Sequence, residues 1–133
     1  WQSKGFSKEH QFNVFSVNTA MQAGIATYHK DADTYLGLSA FFQEKRDFFR
    51  SLLAETSFNL LPCNGSYFQC VSYAHLNQQK DTDMAIKLIK ENGVASIPVS
   101  AFYMKNTDHQ VLRFCFAKKQ ETLEKAVERL MKL

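Results

Sequence analysis

The chain has 133 residues, 45% of them apolar and 22% charged, with a formal net charge of +3. That length fits one domain able to form a core, and the charge is dispersed: Lys118 and Lys119 stand beside Glu121 and Glu124, so no nucleic-acid partner is expected. No apolar run is long enough to span a bilayer and no secretory leader is seen, so the expected location is cytoplasmic, with no membrane partner.

In chain order, Asn18 to Lys30 carries Met21, Ile25 and Tyr28 at helical spacing, with Asn18 or Thr19 as the N-cap. From Asp33 to about Thr56, Tyr35, Leu38, Phe42, Phe49, Leu52 and Leu53 keep the same period, which predicts one long amphipathic helix. The stretch FNLLPCNGSYFQCVSY (58–73) then changes character. Its Asn64-Gly65 turn signal between short aromatic flanks predicts a hairpin in which Gly65 supplies the turn's freedom.

Asp81 can cap a helix reaching about Asn92, with Ile86, Leu88 and Ile89 inside and Gly93 as its left-handed terminator. VASIPVS (94–100) reads as a short strand whose Pro98 favours a sheet edge or an irregular end. After the polar loop MKNTDHQ comes a second apolar strand, and then a helix with Leu123, Ala126, Val127 and Leu130 on one stripe. Glu121/Lys125 and Glu128/Lys132 have i,i+4 spacing on its other side. The predicted fold class is α+β, with helices packed on a small, mostly antiparallel sheet in a single domain.

Twelve phenylalanines are many for this length, and part of the apolar surface is expected to meet another domain or subunit. Cys63, Cys70 and Cys115 are odd in number and lie in strand-like segments, so they read as small buried hydrophobes in a reducing compartment. With no paired cysteine spacing and four scattered histidines, no metal site is expected.

The stretch VLRFCFAKK (111–119) raises the functional question. Arg113 interrupts a run of strand formers, and a buried guanidinium is costly without an anion. On the residues alone two readings stay open: a site for an external anion, or an internal pair with Asp or Glu that ties strand to helix. Lys118 and Lys119 read as solvated charges.

Four stretches, HQFNVFSVNTAMQ (10–22), NGSYFQC (64–70), SIPVSAFY (96–103) and LRFCFAKKQETLEKAVERL (112–130), together resemble the C-terminal small domain of class I, fold-type I pyridoxal-phosphate aminotransferases. The methionine and kynurenine (glutamine-type) branch is the best likeness. It runs in order from about His10 to Leu133, while WQSKGFSKE (1–9) fits less well.

The resemblance implies that residues 1–133 are a small-domain fragment of a transaminase. In such enzymes a large domain supplies the Schiff-base lysine, the acidic partner of the pyridine nitrogen and most phosphate contacts for pyridoxal 5'-phosphate. No catalytic or cofactor-binding residue is therefore assigned here, and the chain alone is expected to be inactive. Arg113 matches the arginine that binds the substrate's α-carboxylate. Phe15 and Ser16, in NVFS, match a segment that lines the substrate side-chain pocket of the partner subunit in a homodimer. Some kynurenine-processing relatives have histidine where this chain has Ser16.

The implied substrates are an amino acid (methionine, aromatic or kynurenine-like) and a 2-oxo acid. Two alternatives remain: a stand-alone module binding small carboxylates, and a structural α/β domain without catalysis. For Tyr67, Phe102 and Tyr103, packing in a core or between domains is expected rather than substrate contact.

Overall fold

The computed structural model describes Glu9, Asn13 and residues 16–105 and 107–133. These residues fall into two compact units that divide between Leu38 and Ser39.

The first unit contains α1 (Thr19–Tyr28) and the short α2 (Asp33–Leu36). Asn18 caps α1 as its sequence predicts, its Oδ1 accepting the Met21 N–H at 3.1 Å. Met21, Ile25 and Tyr28 are all exposed. The single helix predicted from Asp33 to Thr56 is instead interrupted at Gly37, where α2 ends and α3 (Leu38–Leu53) begins. Glycine is the weakest helix former after proline, so the interruption falls where helical propensity is lowest. At its far end α3 stops at Leu53, whose carbonyl accepts both the N–H and the hydroxyl of Thr56.

In the second unit β1 (Asn59–Leu60), β2 (Phe68–Ser72), β3 (Ile97–Pro98) and β4 (Val111–Cys115) form one antiparallel sheet in the order β1-β2-β4-β3. The α+β class is therefore as predicted, and Pro98 does lie on an edge strand. The β1–β2 hairpin also forms, but its left-handed residue is Ser66 (φ 65°) and not Gly65. Two arginines of α3 brace this hairpin. Arg46 Nη1 donates to the Cys63 carbonyl, and Arg50 Nη1 donates to the Leu61 carbonyl and to Oε1 of the buried Gln69.

Strand alternation divides the sheet into two faces. Val71, Leu112 and Phe114 point into a core completed by Phe49 and Leu53 of α3, Met84 and Leu88, and Leu123, Val127 and Leu130 of α5 (Gln120–Leu130). The predicted α5 stripe is thus the buried one. Its Glu121–Lys125 pair forms, whereas Glu128 and Lys132 do not pair.

The preceding helix differs in detail from its prediction. Regular α4 covers Asp81–Lys87 and passes into a π turn, Leu88–Asn92. Met84, Ala85 and Leu88 are buried, while Ile86 and Ile89 are half exposed, because the inward face of α4 is offset from the one those isoleucines define. Nor does Asp81 cap this helix: Lys80 holds the N-cap position and the Asp81 carboxylate turns to Ser100.

Gly93 ends the π turn at φ 64°, as predicted. A Cβ added there would sit 2.8 Å from Arg129 Nη1, a side-chain tip able to move. The left-handed backbone is then the main obstacle, and Gly93→Ala is expected to cost about 1–2 kcal/mol. Thermal unfolding checks this: an unchanged midpoint would show that the backbone here is not held left-handed.

Candidate functional site

The sheet face opposite the core carries Phe68, Cys70 and Ser72 from β2 and Val111, Arg113 and Cys115 from β4, all half-buried. Arg113 sits in the middle of it, opposite Cys70 on one side and Ile97 on the other. Its guanidinium carbon lies 4.0 Å from the Phe68 ring centroid and 4.5 Å from that of Phe102, in the 3-10 turn Val99–Phe102. β2 and the β3–turn segment flank β4, so the two rings approach from different sides. Each such contact is worth about 0.5–2 kcal/mol, depending on desolvation.

Among the described residues the cation has aromatic partners but no counter-charge, and its Nε is buried without a hydrogen-bond partner. The ion pairs among the described residues are Arg46–Asp47, Lys87–Glu91 and Lys125–Glu121, so the internal pairing left open by the sequence does not occur among them. Nor can Cys70 supply the anion. Burial pushes its thiol up from the usual range, with Cys63 adding to the rise, and the opposing pull of Arg113 is smaller than the effect of burial. Cys70 is therefore a neutral thiol at pH 7.

This arrangement suits a planar anion arriving from outside. With the guanidinium over two rings and Nε buried, the Nη edge is the side left to bond, and a carboxylate matches that edge with two parallel hydrogen bonds. Around Arg113 the face offers neither a lysine to bond an aldehyde nor a carboxylate to pair a ring nitrogen. Among the described residues this face fits a carboxylate and holds none of the groups that would anchor pyridoxal phosphate.

Of the other predicted site residues, Phe15 lies outside the described residues. Ser16 is exposed, two positions before the Asn18 cap. All three cysteines are free and half-buried, less enclosed than predicted, because Cys70 and Cys115 occupy this outer face. Lys118 and Lys119 are exposed, as predicted.

Two aromatics of the site do not stand out in the sequence. Phe102, expected to pack in a core or between domains, is 59% exposed and covers Arg113, and nothing in the local pattern marks Phe68 for a functional role. Tyr67 and Tyr103 are likewise exposed, outside the core. The two-residue spacing puts Phe68 on the same face as Cys70, but the register pairing Cys70 with Arg113 is not local information.

An α+β unit that presents an arginine on the sheet face away from its core is the frame for the site, and comparison with known proteins gives its family. A model of the aminotransferase class I and II family matches residues 8–130, and the chain belongs to that family. It is 40% identical over 127 residues to a methionine aminotransferase of Escherichia coli, covering 95% of this chain and 33% of that protein. With a kynurenine–oxoglutarate transaminase of Dictyostelium discoideum it shares 34% identity over 148 residues, covering 93% and 34%.

Solved structures agree. An Escherichia coli structure, YbdL, identified with a methionine aminotransferase function superposes with a TM-score of 0.85 at 40% identity, covering 95% of this chain and 34% of that one. The N-succinyldiaminopimelate aminotransferase of Mycobacterium tuberculosis gives 0.82 at 28% identity, covering 92% and 32%. The chain thus spans about a third of the length of the curated relatives it matches.

Proposed function

We propose that this chain is the substrate-clamping small domain of a pyridoxal-phosphate-dependent aminotransferase, which moves an amino group from an amino acid to a 2-oxo acid. The observation that carries this reading is Arg113: a guanidinium fixed on a strand, stacked on Phe68 and Phe102, with a buried Nε that nothing in the described residues satisfies. Family membership supports the reaction class, and the geometry around Arg113 supports the role.

Pyridoxal phosphate, when bound, acts as the electron sink for the donor's Cα–H bond. Residues outside this chain would hold it. Arg113 contributes orientation: two in-plane bonds to the α-carboxylate limit rotation about Cα and so fix the direction of the bond to be broken. Phe68 and Phe102 lower the polarity around the guanidinium, which would strengthen its attraction for the acid. In a homodimeric, cytoplasmic enzyme, Phe15 and Ser16 would line the side-chain pocket of the partner subunit.

An apolar ring beside a small hydroxyl, with no cation, favours thioether and aromatic donors over acidic ones. Methionine, phenylalanine or a similar donor is expected to lead, with kynurenine also accepted. Phe15→Ala in the complete enzyme should lower kcat/KM for methionine and phenylalanine by about tenfold, close to one ring or sulfur contact, and leave alanine almost unchanged. A donor panel measures this. Equal losses for large and small donors, or a wild-type preference for aspartate or glutamate, would remove NVFS from the pocket.

A further inference from the structure

Asp81 is 1% exposed, and the mechanism so far gives it no role. A carboxylate that far from water is costly unless hydrogen bonds replace its hydration. Both of its oxygens are used on one residue: Oδ2 accepts the Ser100 N–H at 2.7 Å and Oδ1 accepts the Ser100 hydroxyl at 2.6 Å. Asp81 itself is held from behind, since its N–H donates to Asp108 Oδ2 at 2.9 Å, and it occupies the first turn of α4, where a negative charge is favoured.

Ser100 is the second residue of the turn whose fourth residue is Phe102. That turn is fixed at both ends. Pro98, at φ −67°, leads into it while registered against Leu112, and the Tyr103 N–H closes it onto the Ser100 carbonyl at 3.1 Å. Phe102 is 59% exposed and makes no ring–ring contact among the described aromatics, so little side-chain packing holds it over Arg113. Its placement then depends largely on its backbone, and the buried tie on that backbone is Asp81.

From this we infer that Asp81 is a positioning residue for the carboxylate clamp: through its double bond to Ser100 it holds the Val99–Phe102 turn, and with it Phe102, against the guanidinium of Arg113. The inference rests on the proposed role of Arg113. It adds that the clamp is set before substrate arrives, from a helix on the other side of the turn. Losing the tie releases the ring and lets Arg113 sample orientations in which its Nη edge does not face the substrate.

The test uses the complete enzyme with a methionine donor and six variants: Asp81→Ala, Ser100→Ala, Phe102→Leu, the combination of the last two, Ser100→Thr and Arg113→Ala. Asp81→Ala and Ser100→Ala are each expected to raise KM by about three- to tenfold, the range of one cation–π contact, with a smaller change in kcat. Ser100→Thr, which keeps the hydroxyl, should restore KM. The decisive term is the coupling. In a Phe102→Leu background, Ser100→Ala should add almost nothing, because the ring it would release is already gone.

A merely structural tie would instead lower thermal stability and give additive losses. Additive effects, or an unchanged KM in Ser100→Ala, would overturn the inference. Should Asp81→Ala fail to fold, Ser100→Ala, which removes only one of the two bonds, decides alone. Arg113→Ala in the same assay separates the layers: if it leaves KM and kcat intact, the clamp itself is wrong, whereas a large Arg113 effect beside silent Ser100 and Phe102 variants removes only the tie.

Discussion

Replacing Arg113 by alanine in the complete enzyme is expected to lower kcat/KM for every amino-acid donor alike, because the α-carboxylate is common to all of them. A lost charged, partly desolvated hydrogen-bonded pair costs about 2–5 kcal/mol, roughly 30-fold to several thousand-fold in kcat/KM. Folding should be almost unaffected. Arg113 has no hydrogen-bond partner among the described residues whose own needs would be left unmet, and the stacking it gives up is on half-exposed rings. Steady-state kinetics on a donor panel, paired with thermal unfolding, checks both parts. A loss confined to one donor, or a collapse of folding, would point to a structural cation.

One residue earlier the expectation reverses. Leu112 is 0% exposed on the core face of β4, registered against Val71 and Pro98. Leu112→Ala removes a buried side chain and leaves a cavity between the sheet and its helices, which costs about 2–5 kcal/mol of stability. The melting midpoint should fall markedly, while kcat/KM per folded molecule falls far less than in Arg113→Ala. Neighbouring positions on a strand point to opposite faces, so this pair of variants separates the core from the site. Matching phenotypes would mean that the two-face reading of β4 is wrong.

Local periodicity makes part of this fold legible in the sequence itself. The α5 stripe of Leu123, Val127 and Leu130 is buried as its spacing predicts, since one helix face carries nearly all its apolar residues. Gly93 is legible because a left-handed terminator has few residue choices. The helix that it ends is not legible at Ile86 and Ile89, because apolar residues lie on more than one of its faces and only the sheet beneath decides which set is inside. Asp81 misleads for a related reason. Its place at a helix start suggests a cap, yet its partner, Ser100, is nineteen residues away.

The site follows the same division. Arg113 stands out because charge is rare inside an apolar strand, and the family resemblance gives it a role. Its two covering rings do not stand out, because they reach it from segments joined only through the sheet register. Aromatic residues are too common in this chain for position alone to mark them.

The central claim is that Arg113 reads a carboxylate, and the most direct measurement compares an acid with its amide. Calorimetric titration of the complete enzyme with a thioether carboxylic acid and with the matching primary amide gives two dissociation constants, in the wild type and in Arg113→Ala. Wild type should bind the acid at least about tenfold more tightly than the amide, in keeping with a charge-assisted bidentate pair, and the variant should bind the two equally. An acid preference that survives the loss of Arg113 would contradict the account.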